Sequence, residues 1–162
     1  MKKILISAGA LAALAFTTPA SAANTAQADA TVNIVSPLTL AKDTDLSFGT
    51  IVGPFSNSVV RVSNAGARNC GTLTCSGTVT AASFTVSGGT ASQALDVTVD
   101  PSVDMTSGGN TITVDLTTDL PGALSTDASG GATFGVGGTI TLPAGQADGL
   151  YSGTFNVQVD YQ

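Results

Sequence analysis

The sequence predicts an all-β protein, an antiparallel sandwich or barrel, on three observations. Apolar and polar residues alternate in short runs such as NTITVDLTT (110–118) and TFNVQVDYQ (154–162), the period of a strand with one buried face. Gly-, Asn- and Asp-rich breaks separate these runs, and residues 23–162 hold no convincing run at helical spacing. Thr, Ser and Val outnumber the good helix formers, and Glu is missing altogether.

The elements follow in order. Residues 1–22 read as a signal peptide: Lys2 and Lys3 lead, Ile4 to Phe16 is mostly apolar, and Ala20-Ser21-Ala22 is a small-x-small cleavage site. The apolar run is shorter than the about 20 residues a bilayer span takes. Residues 23–35 form an N-terminal segment and 36–162 the folded domain. Strands are expected in TVNIVSPLTL (31–40), DLSFGTIVG (45–53) and SVVRVS (58–63). GTVTAASFTVSG (77–88) holds two strands or a bent one. QALDVTVD (93–100) puts Leu95, Val97 and Val99 on one face, and 110–118 does the same with Ile112, Val114 and Leu116. ATFGVGGTITL (132–142) keeps Phe134, Val136, Ile140 and Leu142 in phase across Gly138. The closing strand, about 151–161, turns Phe155, Val157, Val159 and Tyr161 toward the core.

Charge narrows the partners. All 11 acidic residues are Asp, and His and Trp are missing. Loss of Lys2 and Lys3 with the signal moves the formal net charge from −6 to −8, leaving Lys42, Arg61 and Arg68 as the cations. So few cations disfavour a phosphate backbone or an anionic membrane as partner. Cys70 and Cys75 in NCGTLTCS are an even pair in an exported chain without His, which favours a disulfide over a zinc site. The short loop with Gly71 suits a hairpin tip, so the bridge is expected to staple neighbouring strands.

No catalytic constellation emerges. Without His or Glu the commonest general bases are missing, and no Ser lies in a G-x-S-x-G or S-x-x-K setting. Asp43/Asp45, Asp100/Asp104 and Asp115/Asp119 have the spacing of solvated charges on a strand face, and neither Asp43 to Asp45 nor 96–104 follows a calcium loop. The Gly-Gly pairs at 88, 108, 130 and 137 read as turns and bulges, because Ile140 stands where a dinucleotide fingerprint needs its last Gly. No enzyme activity, metal or cofactor is expected.

SPLTLAKDTDLSFGTIV (36–52), AASFTVSG (81–88) and FGVGGTITLPAGQADGLYSGTFNVQVDY (134–161) resemble the family called domain of unknown function 4402, whose members are exported proteobacterial proteins. The shared pattern is an L-x-F-G strand, here Leu46 to Gly49, and a closing G-x-Y-x-G strand, here Gly149 to Tyr161. That family in turn looks like spore coat protein U and the pilins of archaic chaperone–usher fibres. The resemblance implies an immunoglobulin-like β-sandwich, export to the periplasm or cell surface, and a groove beside the closing strand filled by an N-terminal extension of the next subunit. The partners it implies are further copies or related subunits and a periplasmic chaperone. In AQADATVNIV (26–35), Ala26, Ala28, Ala30, Val32 and Ile34 share one face, as such an extension needs. The same residues equally suit the first strand of their own sandwich. A monomeric secreted binding module is the competing function, although no Trp offers a stacking surface for sugars.

N-terminal sequencing of the exported protein is expected to begin at Ala23-Asn24-Thr25, and Ellman titration of the native form to find no thiol. Two free thiols would refute the disulfide.

Overall fold

The computed structural model describes residues 24–118, 120 and 124–162. The expected signal peptide lies outside the described residues. The chain divides into a short N-terminal unit that ends at Asn33 and a larger one, Ile34–Gln162. Residues 24–33 belong to no strand and are exposed.

The larger unit is all-β and antiparallel. Its strands are β1 (Thr39–Thr44), β2 (Thr50–Val52), β3 (Ser58–Val62), β4 (Arg68–Asn69), β5 (Thr74–Ser76), β6 (Ala82–Ser87), β7 (Ala94–Val99), β8 (Ser102–Ser107), β9 (Asn110–Thr117), β10 (Leu124–Ser125), β11 (Ala132–Leu142) and β12 (Val157–Tyr161). The main sheet runs β1-β6-β11-β3-β4, with β9 also on β11 and β8 on β9; β10-β7-β12 and β2-β5 form two smaller sheets. This is the expected immunoglobulin-like sandwich layering, with the β10-β7-β12 sheet packed over one part of a curled main sheet.

Two apolar clusters fill it. The first joins Phe84 and Val86 of β6, Phe134 and Val136 of β11 and Leu95 of β7. Phe84 stacks on Phe134 at 5.4 Å and meets the edge of Phe155 at 6.4 Å. The second joins Val60 and Val62 of β3, Ile112 and Val114 of β9, Ile140 and Leu142 of β11, and Phe48.

β11 belongs to both clusters. Its first half, Ala132 to Val136, pairs with β6; from Gly138 to Leu142 it pairs with β3, and Gly137 to Ile140 pair with β9. Gly137 sits where this change of partner occurs. A side chain there would run into the Val62 carbonyl oxygen and the Ser63 and Asn64 backbone, and one on Gly135 into the Asn64 carbonyl. The turn reading holds for Gly88, Gly108, Gly109 and Gly130, all at positive φ. Gly137 and Gly138 lie inside the strand expected at 132–142, where neighbouring groups come too close for a Cβ.

Other boundaries differ from expectation for identifiable reasons. The strand expected at 31–40 begins only at Thr39. Pro37 has no N–H to give a ladder, and Val32 and Ile34 are 81% and 84% exposed. In 45–53, Gly49 at φ +70 breaks the run, leaving a Ser47–Thr80 bridge and the short β2. The 77–88 stretch holds one strand, β6, after a turn at Gly77. The closing strand is shorter than expected because Gly153 lies against the Asp104 carbonyl and Ser152 bridges to Thr106 instead. β4, β5, β8 and β10 had no counterpart in the sequence reading.

The Cys70–Cys75 disulfide is present. The hairpin around it is not: β4 pairs with β3 and β5 with β2, so the bridge ties the residue after β4 to the middle of β5, a strand of another sheet. Closing so short a loop contributes about 2 kcal/mol in the chain-entropy model.

Gly137→Ala is expected to destabilise the chain by about 2–3 kcal/mol, because the obstructing atoms are backbone. Gly145→Ala meets no atom and pays only for its positive φ, about 1 kcal/mol. Urea midpoints of the two variants test the difference; equal shifts would remove the close-approach argument.

Candidate functional site

β12 is the edge of its sheet. It pairs with β7 from Val157↔Val99 to Tyr161↔Leu95, and no described strand pairs with its other side. Flanking bonds set the phase of the ladder: Asp100 N–H donates to the Asn156 carbonyl and Gln162 N–H to the Ala94 carbonyl. Bonding alternates along an antiparallel strand. Gln158 and Asp160 therefore share the phase of Asn156 and Gln162 and face β7. Val157, Val159 and Tyr161 direct their N–H and C=O groups at the open side.

The same three residues, with Phe155, place half-buried side chains against the first apolar cluster. The open edge thus combines unpaired backbone groups with incompletely covered apolar side chains. Its exposed face is acidic: Asp96 and Asp160 stand directly opposite each other, an unfavourable like-charge pairing. Neither β7 nor β12 carries a Lys or Arg.

The other edge on this side of the sandwich is built differently. β1 has Lys42 and Asp43 within it, and its register with β6 shifts between Lys42 and Thr44. Lys42 also forms an ion pair with Asp45. Charges and an irregular register are devices that keep an edge from pairing with another chain. β12 has no such shift in its register with β7.

Where the start of the larger unit meets the end of β12, hydrogen bonds converge. Tyr161 OH donates to the Ser36 carbonyl at 2.7 Å and accepts from Thr90 N–H at 2.9 Å. Ser36 N–H donates to Thr90 Oγ1 at 2.9 Å. Buried Thr126 donates through Oγ1 to the Thr90 carbonyl at 2.6 Å. Val35 to Leu38 and Val159 to Tyr161 line a shallow recess at this end.

A second concavity, about 480 Å³, opens between β2 with the preceding loop and residues 146–151. Phe48, Ile112, Ile140 and Leu142 form its floor, and exposed Leu150 stands at its mouth. Gly49 of the L-x-F-G motif lines it under the Arg68 guanidinium, which donates to the Phe48 and Ser76 carbonyls at 2.8 and 2.9 Å. A side chain on Gly49 would displace that guanidinium. The motif's glycine is therefore explained by this seat and by its positive φ.

The acidic side chains mostly support backbone and hydroxyl groups. Asp100 accepts from Asn156, Asp104 from Thr113 and Asp43 from Thr85. Among the described residues no group of three or more potential ligands is placed to hold a metal. Ala26, Ala28, Ala30, Val32 and Ile34 are exposed and outside any strand. The Tyr161, Ser36 and Thr90 network escaped the sequence reading, since its partners lie 71 and 125 positions apart. The terminal aromatic of the closing motif was its only signal.

A family model described as "Domain of unknown function (DUF4402)" matches residues 38–161. No curated protein matches, and no solved structure matches.

The turn entering β11 yields a pH prediction. Asp127 Oδ1 accepts from Gly131 N–H, from Ser129 Oγ and from Ser129 N–H at 2.7–2.9 Å. These bonds, that from Gly131 foremost, hold its carboxyl below the usual carboxylate range. The ionised form is the one stabilised, so the contribution is complete above the unfolded-state pKa and disappears as pH falls through the lowered folded value. Asp127→Ala is expected to lower stability at neutral pH and to converge with wild type in strong acid. Parallel pH–stability curves would contradict this account.

Proposed function

We propose that this chain, which belongs to the domain of unknown function 4402 family, is an exported structural subunit of a cell-surface fibre or coat assembled by β-strand addition. The observation that carries this reading is the open, unguarded edge of β12 beside half-buried apolar side chains. The chain also owns a suitable segment: in residues 26–35, which form no strand, alternate positions are apolar and exposed. Laid along β12 of another copy, the segment bonds to the backbone groups of Val157, Val159 and Tyr161. Covering Val32 and Ile34 contributes about 1.5–3 kcal/mol each, and the alanines less. Backbone bonds add about 1 kcal/mol apiece. The resemblance to spore coat protein U and archaic pilins supports the same reading, with the periplasm as the route and a chaperone covering the edge before assembly. The self-closed form lays the same segment along its own β12.

A monomeric secreted binding module is the second reading, and the 480 Å³ concavity favours it. Its size falls within the roughly 300–1,000 Å³ of ligand sites, and its floor is apolar.

The exported protein is expected to form heat-resistant ladders on gels. Val32→Asp with Ile34→Asp should abolish them while leaving the monomer folded, because both residues are exposed in it. A wild type that stays monomeric, and whose stability is unchanged on deleting 26–35, rules out strand addition. A saturable ligand for that monomer, lost in Leu150→Asp at the exposed mouth of the concavity, then favours the binding module.

A further inference from the structure

Resting on the strand-addition reading, we propose that the Tyr161 hydroxyl is the anchor that sets the register from which the assembly segment departs. Three observations place it in that role. Its oxygen joins three parts of the chain: its own strand end, the Ser36 carbonyl and the Thr90 amide. Thr90 in turn holds the Ser36 amide, so both backbone groups of Ser36 are tied to the same point. The point is itself fixed, because Thr126 grips the Thr90 carbonyl from a buried position and Gly89 packs against Gly130 where neither has room for a side chain.

The consequence concerns length. Tyr161 is the last residue of the open edge, and the chain before Ser36 begins beside it. Residues preceding Ser36 are available for exchange, while those following it are committed to their own sandwich through β1. A segment with period-two alternation tolerates no slip of one residue, since every side chain would change face. A fixed starting point gives every subunit the same reach and thus the same register on its neighbour. Without the hydroxyl, Ser36 keeps only its bond to Thr90 Oγ1, the chain ahead of β1 loosens, and the departing segment meets the next edge in several registers.

Tyr161→Phe keeps the ring packed in the core and removes both bonds. Thr90→Val is the second variant: it preserves shape and removes only the acceptor for Ser36. For both, residue-resolved amide exchange on the full exported chain is expected to rise roughly tenfold at Ser36. In Tyr161→Phe the Thr90 amide should follow, with amides of β7 and β11 unchanged. Ladders of either variant should dissociate at lower temperature than those of wild type. Unchanged exchange at Ser36, or raised exchange with ladders as heat-resistant as wild type, overturns the anchor and leaves strand addition intact. A wild type that never assembles overturns strand addition and the anchor's role with it.

Discussion

The fold depends on one strand that serves two cores. β11 is long enough to pair with β6 through its first half and with β3 and β9 through its second. Phe134 and Val136 enter one apolar cluster, and Ile140 and Leu142 the other. That division is possible only if neighbouring backbone can approach β11 closely at its middle, and Gly135 and Gly137 permit it. The hydrophobic gain of both clusters thus rests on a few positions that bury almost no side chain. Packing in the first cluster then fixes β7, and β7 fixes β12, which has no other strand partner among the described residues.

Strands with one fully buried face could be read in the sequence. β7, β9 and the two ends of β11 alternate because Leu95, Ile112, Val114, Phe134 and Ile140 are buried while their neighbours are exposed or half-buried; the pattern lapses only at Val136 to Gly138, where the strand is buried throughout. β8 could not be read, for Val103 and Met105 are only half-buried and the strand is otherwise Ser, Asp and Thr. It is held by its full-length ladder with β9, a tertiary cause that leaves little hydrophobic pattern. The opposite failure occurs at 31–40. Its alternation is good but no described strand forms a ladder with it before Thr39, so pattern alone was insufficient and the strand starts after Pro37.

The candidate site was legible as composition and not as geometry. Phe155, Val157, Val159 and Tyr161 stood out as a face, and the alternation in 26–35 stood out as a strand looking for a sheet. That β12 is an edge follows only from strand order, which depends on pairings among distant segments. The hydroxyl of Tyr161 illustrates the same gap. An aromatic on a strand is expected to pack, and nothing local reports that its oxygen reaches Ser36 and Thr90.

The unequal treatment of the two edges links structure to proposed function. An unpaired strand edge promotes association with other chains, so an edge kept bare needs a physical reason. β1 carries a charged pair of residues and a register shift. β12 carries neither a cation nor a shift, and its one acidic residue, Asp160, lies on the exposed face. A strongly acidic chain gains long-range repulsion between copies, which slows indiscriminate contact without blocking a short extended segment. In 26–35 the only charged residue is Asp29, so the segment can approach such an edge with little electrostatic penalty. The proposed strand addition is what this combination of global repulsion, the bare edge of β12 and one nearly neutral segment favours.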